Sequence, residues 1–176
     1  MIIGKPHPTL FIQPFENLIK VEYFDKENTT LKEIMRPGVP LVLNFGSCSW
    51  PPFRRALKEF GELKKRFKKV DFCIIYIQEA HPTDEWSFDG LEGHPDVKQP
   101  KTMEDRLDCA QILTKMINYD VDIYVDGLDN KANKAFGAMP ERLAVVKDNK
   151  VEFIGGTGPF NYSIPELETF LKKQNY

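Results

Sequence analysis

Leu41 to Phe45 is an apolar run broken only by Asn44, and Asp71 to Ile77 is a second such run. Apolar stretches without alternation predict strands covered on both faces, as in the middle of a parallel sheet. Between them Phe53, Ala56, Leu57, Phe60, Leu63 and Phe67 recur at spacings of three and four, which predicts a helix over 53–67 with one apolar stripe. Strand, helix, strand in that order make a βαβ unit. Its crossover is expected to be right-handed, and the loop Gly46–Pro52 then falls at the carboxyl edge of the sheet, where open α/β sheets keep their sites.

The same reading continues along the chain. Thr30 with Glu33 forms a capping box for a short helix over Leu31–Met35, ended by Pro37 and Gly38. Thr102 caps a second helix reaching 113–117, with Glu104 and Asp105 in its first turn and an apolar face through Met103, Leu107, Ala110 and Ile117. Val121–Val125 alternates as a strand. Leu143–Val146 and Val151–Ile154 flank the polar break Lys147–Lys150, which predicts a hairpin and makes the sheet mixed. Ser163 and Glu166 form a capping box, with Pro165 in the first turn, for a last helix that buries Ile164, Leu167, Phe170 and Leu171. From His81 to Lys101, three prolines and two glycines predict a loop of about 20 residues, a length usually reserved for function or insertion. It starts at the end of a central strand, on the same edge as Gly46–Pro52. No internal repeat is present.

Composition narrows the picture. A length of 176 residues with 41% hydrophobic content suits one domain with one sizeable core. The balance of 24 basic and 26 acidic residues leaves no field for nucleic acid, and the lysines of 64–69 read as the solvated end of a helix. No apolar run approaches the roughly 20 residues needed to cross a bilayer, and 1–20 has no signal-peptide pattern, so the chain as given is expected to be soluble. Cys48, Cys73 and Cys109 are too few for a disulfide framework and, with His7, His81 and His94, too scattered for a metal motif. A reducing compartment or a catalytic thiol is the expectation. Cys73 in a buried strand and Cys109 on a helix read as structural.

Chemistry concentrates in Gly46-Ser47-Cys48-Ser49-Trp50-Pro51-Pro52. A helix N-terminus after a buried strand stabilises anions, so a thiolate is favoured there, and Cys48 is the residue that can use it. Cys-x-x-Cys is absent, and Trp50, the best-placed side chain, carries no nucleophilic sulfur. The alternative for Cys48 is a small buried side chain.

The stretch Asn44-Phe45-Gly46-Ser47-Cys48-Ser49-Trp50-Pro51-Pro52-Phe53 resembles the active-site segment of the iodothyronine deiodinase family, with Trp50 at the selenocysteine position and Ser49 at a common threonine. The resemblance continues through Ile74–Ile77, Glu79-Ala80-His81-Pro82, Trp86, Glu104-Asp105-Arg106, Glu141-Arg142-Leu143, Gly155-Gly156 and Gly158-Pro159, from about Pro40 to the C-terminus. It implies an α/β, thioredoxin-like fold: a mixed central sheet flanked by helices, with a loop inserted after the second central strand. The domain is then single over 1–176, with 1–39 an extension packed on it and without the membrane anchor typical of animal members.

The implied activity is reductive removal of iodide from iodothyronines, selenium attacking iodine and a thiol cosubstrate restoring the enzyme, with no other cofactor. The resemblance gives Cys48 a part in regeneration, His81 a part in substrate protonation, and Arg142 a part in holding the iodothyronine. Partners are an iodothyronine-like small molecule and a thiol reductant, with a homodimer by family resemblance. The location is cytoplasmic or soluble unless an N-terminal anchor was removed. A second regenerating cysteine has no match at Asp120–Asp122. Other assignments stand beside these. Glu79, a candidate substrate-binding residue, shares a predicted strand face with His81 and is placed to pair with it. Arg142 could form a surface ion pair with Glu141. Trp86 reads as packing, and Pro140, which departs from the family pattern, is read as the proline that thioredoxins hold in cis.

Trp50 has two origins: a UGA codon rendered as tryptophan, or a genuine tryptophan. Three functions follow: a deiodinase inactive as written, a thiol peroxidase working through Cys48, or a ligand-binding module without catalysis.

Overall fold

A computed structural model describes residues 20–23, 26–87 and 93–176. The predicted βαβ unit is its centre. β3 (Leu41–Gly46) runs parallel to β4 (Asp71–Tyr76) from Leu41 opposite Asp71 to Gly46 opposite Tyr76, and α2 (Pro51–Arg66) joins them. β3 is buried along its whole length, as its unalternating sequence requires. α2 buries Phe53, Leu57, Phe60 and Leu63, the predicted stripe.

Around this centre, α3 (Met103–Met116) leads from β4 to the parallel strand β5 (Asp122–Asp126). α4 (Lys131–Phe136) then leads to β6 (Arg142–Lys147), antiparallel to β3. β6 pairs with β7 (Lys150–Ile154) through a tight turn at Asp148 and Asn149, both with positive φ, and α5 (Ile164–Lys173) closes the chain. Of the 1–39 extension, β1 (Lys20–Tyr23), β2 (Lys26–Thr30) and α1 (Leu31–Ile34) are described, and residues 1–19 lie outside the described set. β1 pairs antiparallel with β5, so the extension continues the sheet to the order β2-β1-β5-β4-β3-β6-β7.

The two sheet faces divide the core. Val42, Ile74, Tyr76, Leu143 and Val145 face α2, α3 and α5, while Leu41, Leu43, Phe45, Ala144 and Val146 face α1 and α4. The capping boxes at Thr30/Glu33 and Thr102/Asp105 are both formed. At Ser163 only the forward half is present, its hydroxyl accepting from Glu166 N–H. The deep face of α3 differs from the one read off the sequence. Cys109, Ala110 and Leu113 are its buried apolar positions, with Met103, Leu107 and Ile117 at its margin. Arg106 is buried beside them because its guanidinium donates to Asp126 O, Gly127 O and Asn130 Oδ1. β1, β2 and α4 have no signal in the hydrophobic pattern, being short and rich in polar residues.

Candidate active site

Three segments meet at the carboxyl edge: the loop after β3, the loop after β4, and the start of β6. α2 can begin there because Gly46 has no side chain. A Cβ at Gly46 would stand 2.3 Å from the Phe53 ring, which packs down on the strand end. Pro51 and Pro52 occupy the first helical turn, where no N–H partner is needed, and Trp50 is the N-cap with extended backbone. The predicted placement of residues 48–50 at a helix N-terminus is what the structure contains.

Cys48 and Ser49 are tied to the second loop through Glu79, which is 1% exposed. Glu79 Oε2 accepts from Ser49 N–H at 3.0 Å and from Cys48 Sγ at 3.8 Å, while Oε1 accepts from the Tyr76 hydroxyl. The Tyr76 hydroxyl oxygen in turn accepts from Cys48 N–H at 3.2 Å. Ser49 Oγ accepts from the N–H groups of Ala80 and His81, both at 3.1 Å, and Gln99 closes the network by bonding Glu79 N–H and C=O. The expected pairing of Glu79 with His81 is replaced by these bonds. β4 ends at Tyr76, so 79 and 81 do not share a strand face.

This network changes the expectation for Cys48. Burial pushes its thiol well above the ordinary range, and the Glu79 carboxylate pushes it further. The helix N-terminus does not produce a low-pKa thiolate here, because Cys48 is fully buried beside a negative charge. Cys73 and Cys109 are also buried free thiols with raised pKa, as their structural reading requires.

Trp50 is 8% exposed and stacks on His81, with ring centroids 5.3 Å apart and planes at 14°. The His81 ring also meets the Trp86 ring, with centroids 4.7 Å apart and planes at 63°, and its Nδ1 lies 2.8 Å from Trp86 O. Its carbonyl accepts from His94 Nε2. Trp86 is not a packed core residue. The residue is 74% exposed, and its ring lies beside His81.

Arg142 lies elsewhere. It pairs across β3 with Phe45 and so points to the α4 face, whereas Trp50 belongs to the α2 face. Its guanidinium donates to Gly155 O, Phe136 O and Gly137 O, which closes the C-terminus of α4. It forms no ion pair with Glu141. Met139–Pro140 is cis, as the thioredoxin correspondence predicts.

Glu141 is the residue to which sequence reasoning gave no site role, only an ion pair with Arg142. It is 1% exposed, burial raises its pKa, and the Trp50 indole N–H and then the Arg55 charge offset part of that rise. Neither Glu141 oxygen nor Trp50 Nε1 has a partner at hydrogen-bonding geometry among the described residues. Its sequence signals were its place in the family-like string Glu141-Arg142-Leu143 and a charge between a proline and a buried strand. No group of three or more His, Cys, Asp or Glu among the described residues could hold a metal, and no helix there is long and apolar enough to cross a membrane.

The iodothyronine deiodinase family model matches residues 13–175. A thyroxine 5-deiodinase of Sparus aurata is 36% identical over 150 residues, covering 85% of this chain and 55% of that protein. A type II iodothyronine deiodinase of Rattus norvegicus is 39% identical over 138 residues, covering 76% of this chain and 52% of that one. The chain thus spans about half the length of these relatives. Among solved structures, a secreted disulfide oxidoreductase of Mycobacterium tuberculosis superposes with a TM-score of 0.60 at 11% identity, covering 88% of this chain and 94% of that one. At that identity the likeness fixes the thioredoxin-like fold alone. With the family model matching over nearly its whole length and relatives of 36% and 39% identity over three quarters or more of it, the chain belongs to the iodothyronine deiodinase family.

Proposed function

We propose that this chain carries a deiodinase-type site for reductive removal of iodide from iodothyronines, and that it is inactive as written because Trp50 stands where the nucleophile belongs. The observation that carries this reading is the stacking of the Trp50 indole on His81 at the helix N-terminus. A selenol or thiol at position 50 would face that imidazole. It would take iodine from the ring while the ring carbon takes a proton, and two thiols would then release iodide and leave as a disulfide. His81, stacked against position 50, would pass the proton. A thiol cosubstrate is part of the proposal.

Peroxidase chemistry at Cys48 has less support. A thiolate nucleophile needs access and a lowered pKa, and Cys48 has neither. The experiment is iodide release from thyroxine in the presence of a dithiol. The protein as written is expected to give none above background, while Trp50→Cys and the selenocysteine variant turn over. No iodide from either folded variant overturns the proposal, and saturable binding without turnover then makes the chain a ligand-binding module.

A further inference from the structure

Glu141 lines a cavity of about 330 Å³ with Arg55 and Glu59 from α2, Pro159, and Tyr162 and Ser163 before α5. Burying a carboxyl without a hydrogen-bonding partner is costly, so a native structure that keeps one calls for a group to satisfy it. The side chain cannot swing away. Gly158 sits against it so closely that a Cβ there would come within 2.3 Å of Glu141 Oε1, and Gly158 N–H donates to Glu141 O. Tyr162 cannot serve either, since its hydroxyl donates to Asn44 Oδ1.

The charges around this cavity are mixed within a small volume. A purely anionic ligand would meet Glu141 and Glu59, and a simple cation would meet Arg55. A ligand carrying both signs a few ångströms apart meets neither difficulty, and an arginine fork matches a carboxylate while a buried carboxyl matches an ammonium. We propose that this cavity is a subsite for a zwitterionic α-amino-acid headgroup, with Glu141 taking the ammonium and Arg55 the carboxylate. Glu141 also adjoins Trp50, so it links this cavity to the reacting position. The proposal rests on the iodothyronine reading, since it assigns the amino-acid end of that ligand class.

Calorimetry on the whole chain with L-thyroxine and with tetraiodothyropropionic acid, which keeps the rings and carboxylate but lacks the ammonium, tests it. Thyroxine is expected to bind about tenfold or more tightly, the size of a charge-assisted hydrogen bond. Glu141→Gln should equalise the two ligands, and Glu141→Asp should restore part of the difference. Arg55→Met should weaken both by a similar factor. Equal affinities for the unaltered protein, or a preference that survives Glu141→Gln, overturns the subsite. If neither compound binds, it is the iodothyronine reading that fails, and the comparison is repeated with L-tyrosine and hydroxyphenylpropionate at millimolar concentration. Absence of a preference for L-tyrosine there overturns the headgroup site itself.

Discussion

The two walls of the carboxyl edge hold similar groups in opposite conditions. On one side Glu79, buried at 1% exposure, accepts from Tyr76, Ser49 and Cys48, and its own backbone is held by Gln99. On the other side Glu141 is just as buried, and although the Trp50 indole N–H faces it, neither its oxygens nor that N–H completes a hydrogen bond among the described residues. Both are glutamates, and both lie next to the N-terminus of α2. The first is scaffold: its bonds fix the loop after β3 against the loop after β4, and removing a member leaves donors stranded. The second is open chemistry, a group held in place by Gly158 and awaiting a ligand or a different side chain at position 50.

Breaking the scaffold wall should have the largest effect on stability. Glu79→Ala strands the Tyr76 hydroxyl, the Ser49 N–H and the Cys48 thiol, at an expected cost of about 3–5 kcal/mol. Urea unfolding should show a lower midpoint with unchanged slope. A loss under about 1 kcal/mol would place Glu79 with Glu141 and erase the contrast between the walls.

Arg142 sharpens the comparison from outside. Its three bonds to backbone carbonyls group it with the scaffold, so Arg142→Met should lower stability by about 2 kcal/mol. The family resemblance would instead have it hold ligand. A variant of unchanged stability and weakened thyroxine binding, measured side by side, would return it to the ligand.

The smallest effect belongs to Glu141 and is best seen as a function of pH. Its folded pKa lies above the ordinary value of 4.5 because of burial. The folded state therefore holds the proton where the unfolded chain has lost it, so this group's contribution is complete below about pH 4.5 and is lost as pH rises through the folded pKa. Glu141→Gln removes that dependence. The stability difference between the two proteins should shift in favour of the variant with rising pH, by on the order of 1 kcal/mol. Asp126, also raised by burial, titrates in both proteins and cancels in the difference. A flat difference from pH 4 to 8 would mean that Glu141 already has a partner.

Much of this molecule was legible along the chain. The unalternating runs at 41–45 and 71–77, the stripe from Phe53 to Phe67, and the Thr30 and Thr102 caps depend on local period and local hydrogen bonds, which sequence records directly. So does the placement of residues 48–50 at a helix start, and with it the family. What only the tertiary structure decided concerns partners distant in sequence. Arg106 reaches the carbonyls beyond β5, Glu79 turns to Tyr76 and Ser49 rather than His81, and Arg142 points to the α4 face because its register pairs it with Phe45. The Cys48 thiol shows the reason most plainly. A helix N-terminus alone argues for a thiolate, but ionisation depends on the whole surrounding medium, and that medium is a closed core with a carboxylate in it. Chain order fixes which groups exist and in what local geometry, and only packing fixes the dielectric and the neighbours that determine their chemistry.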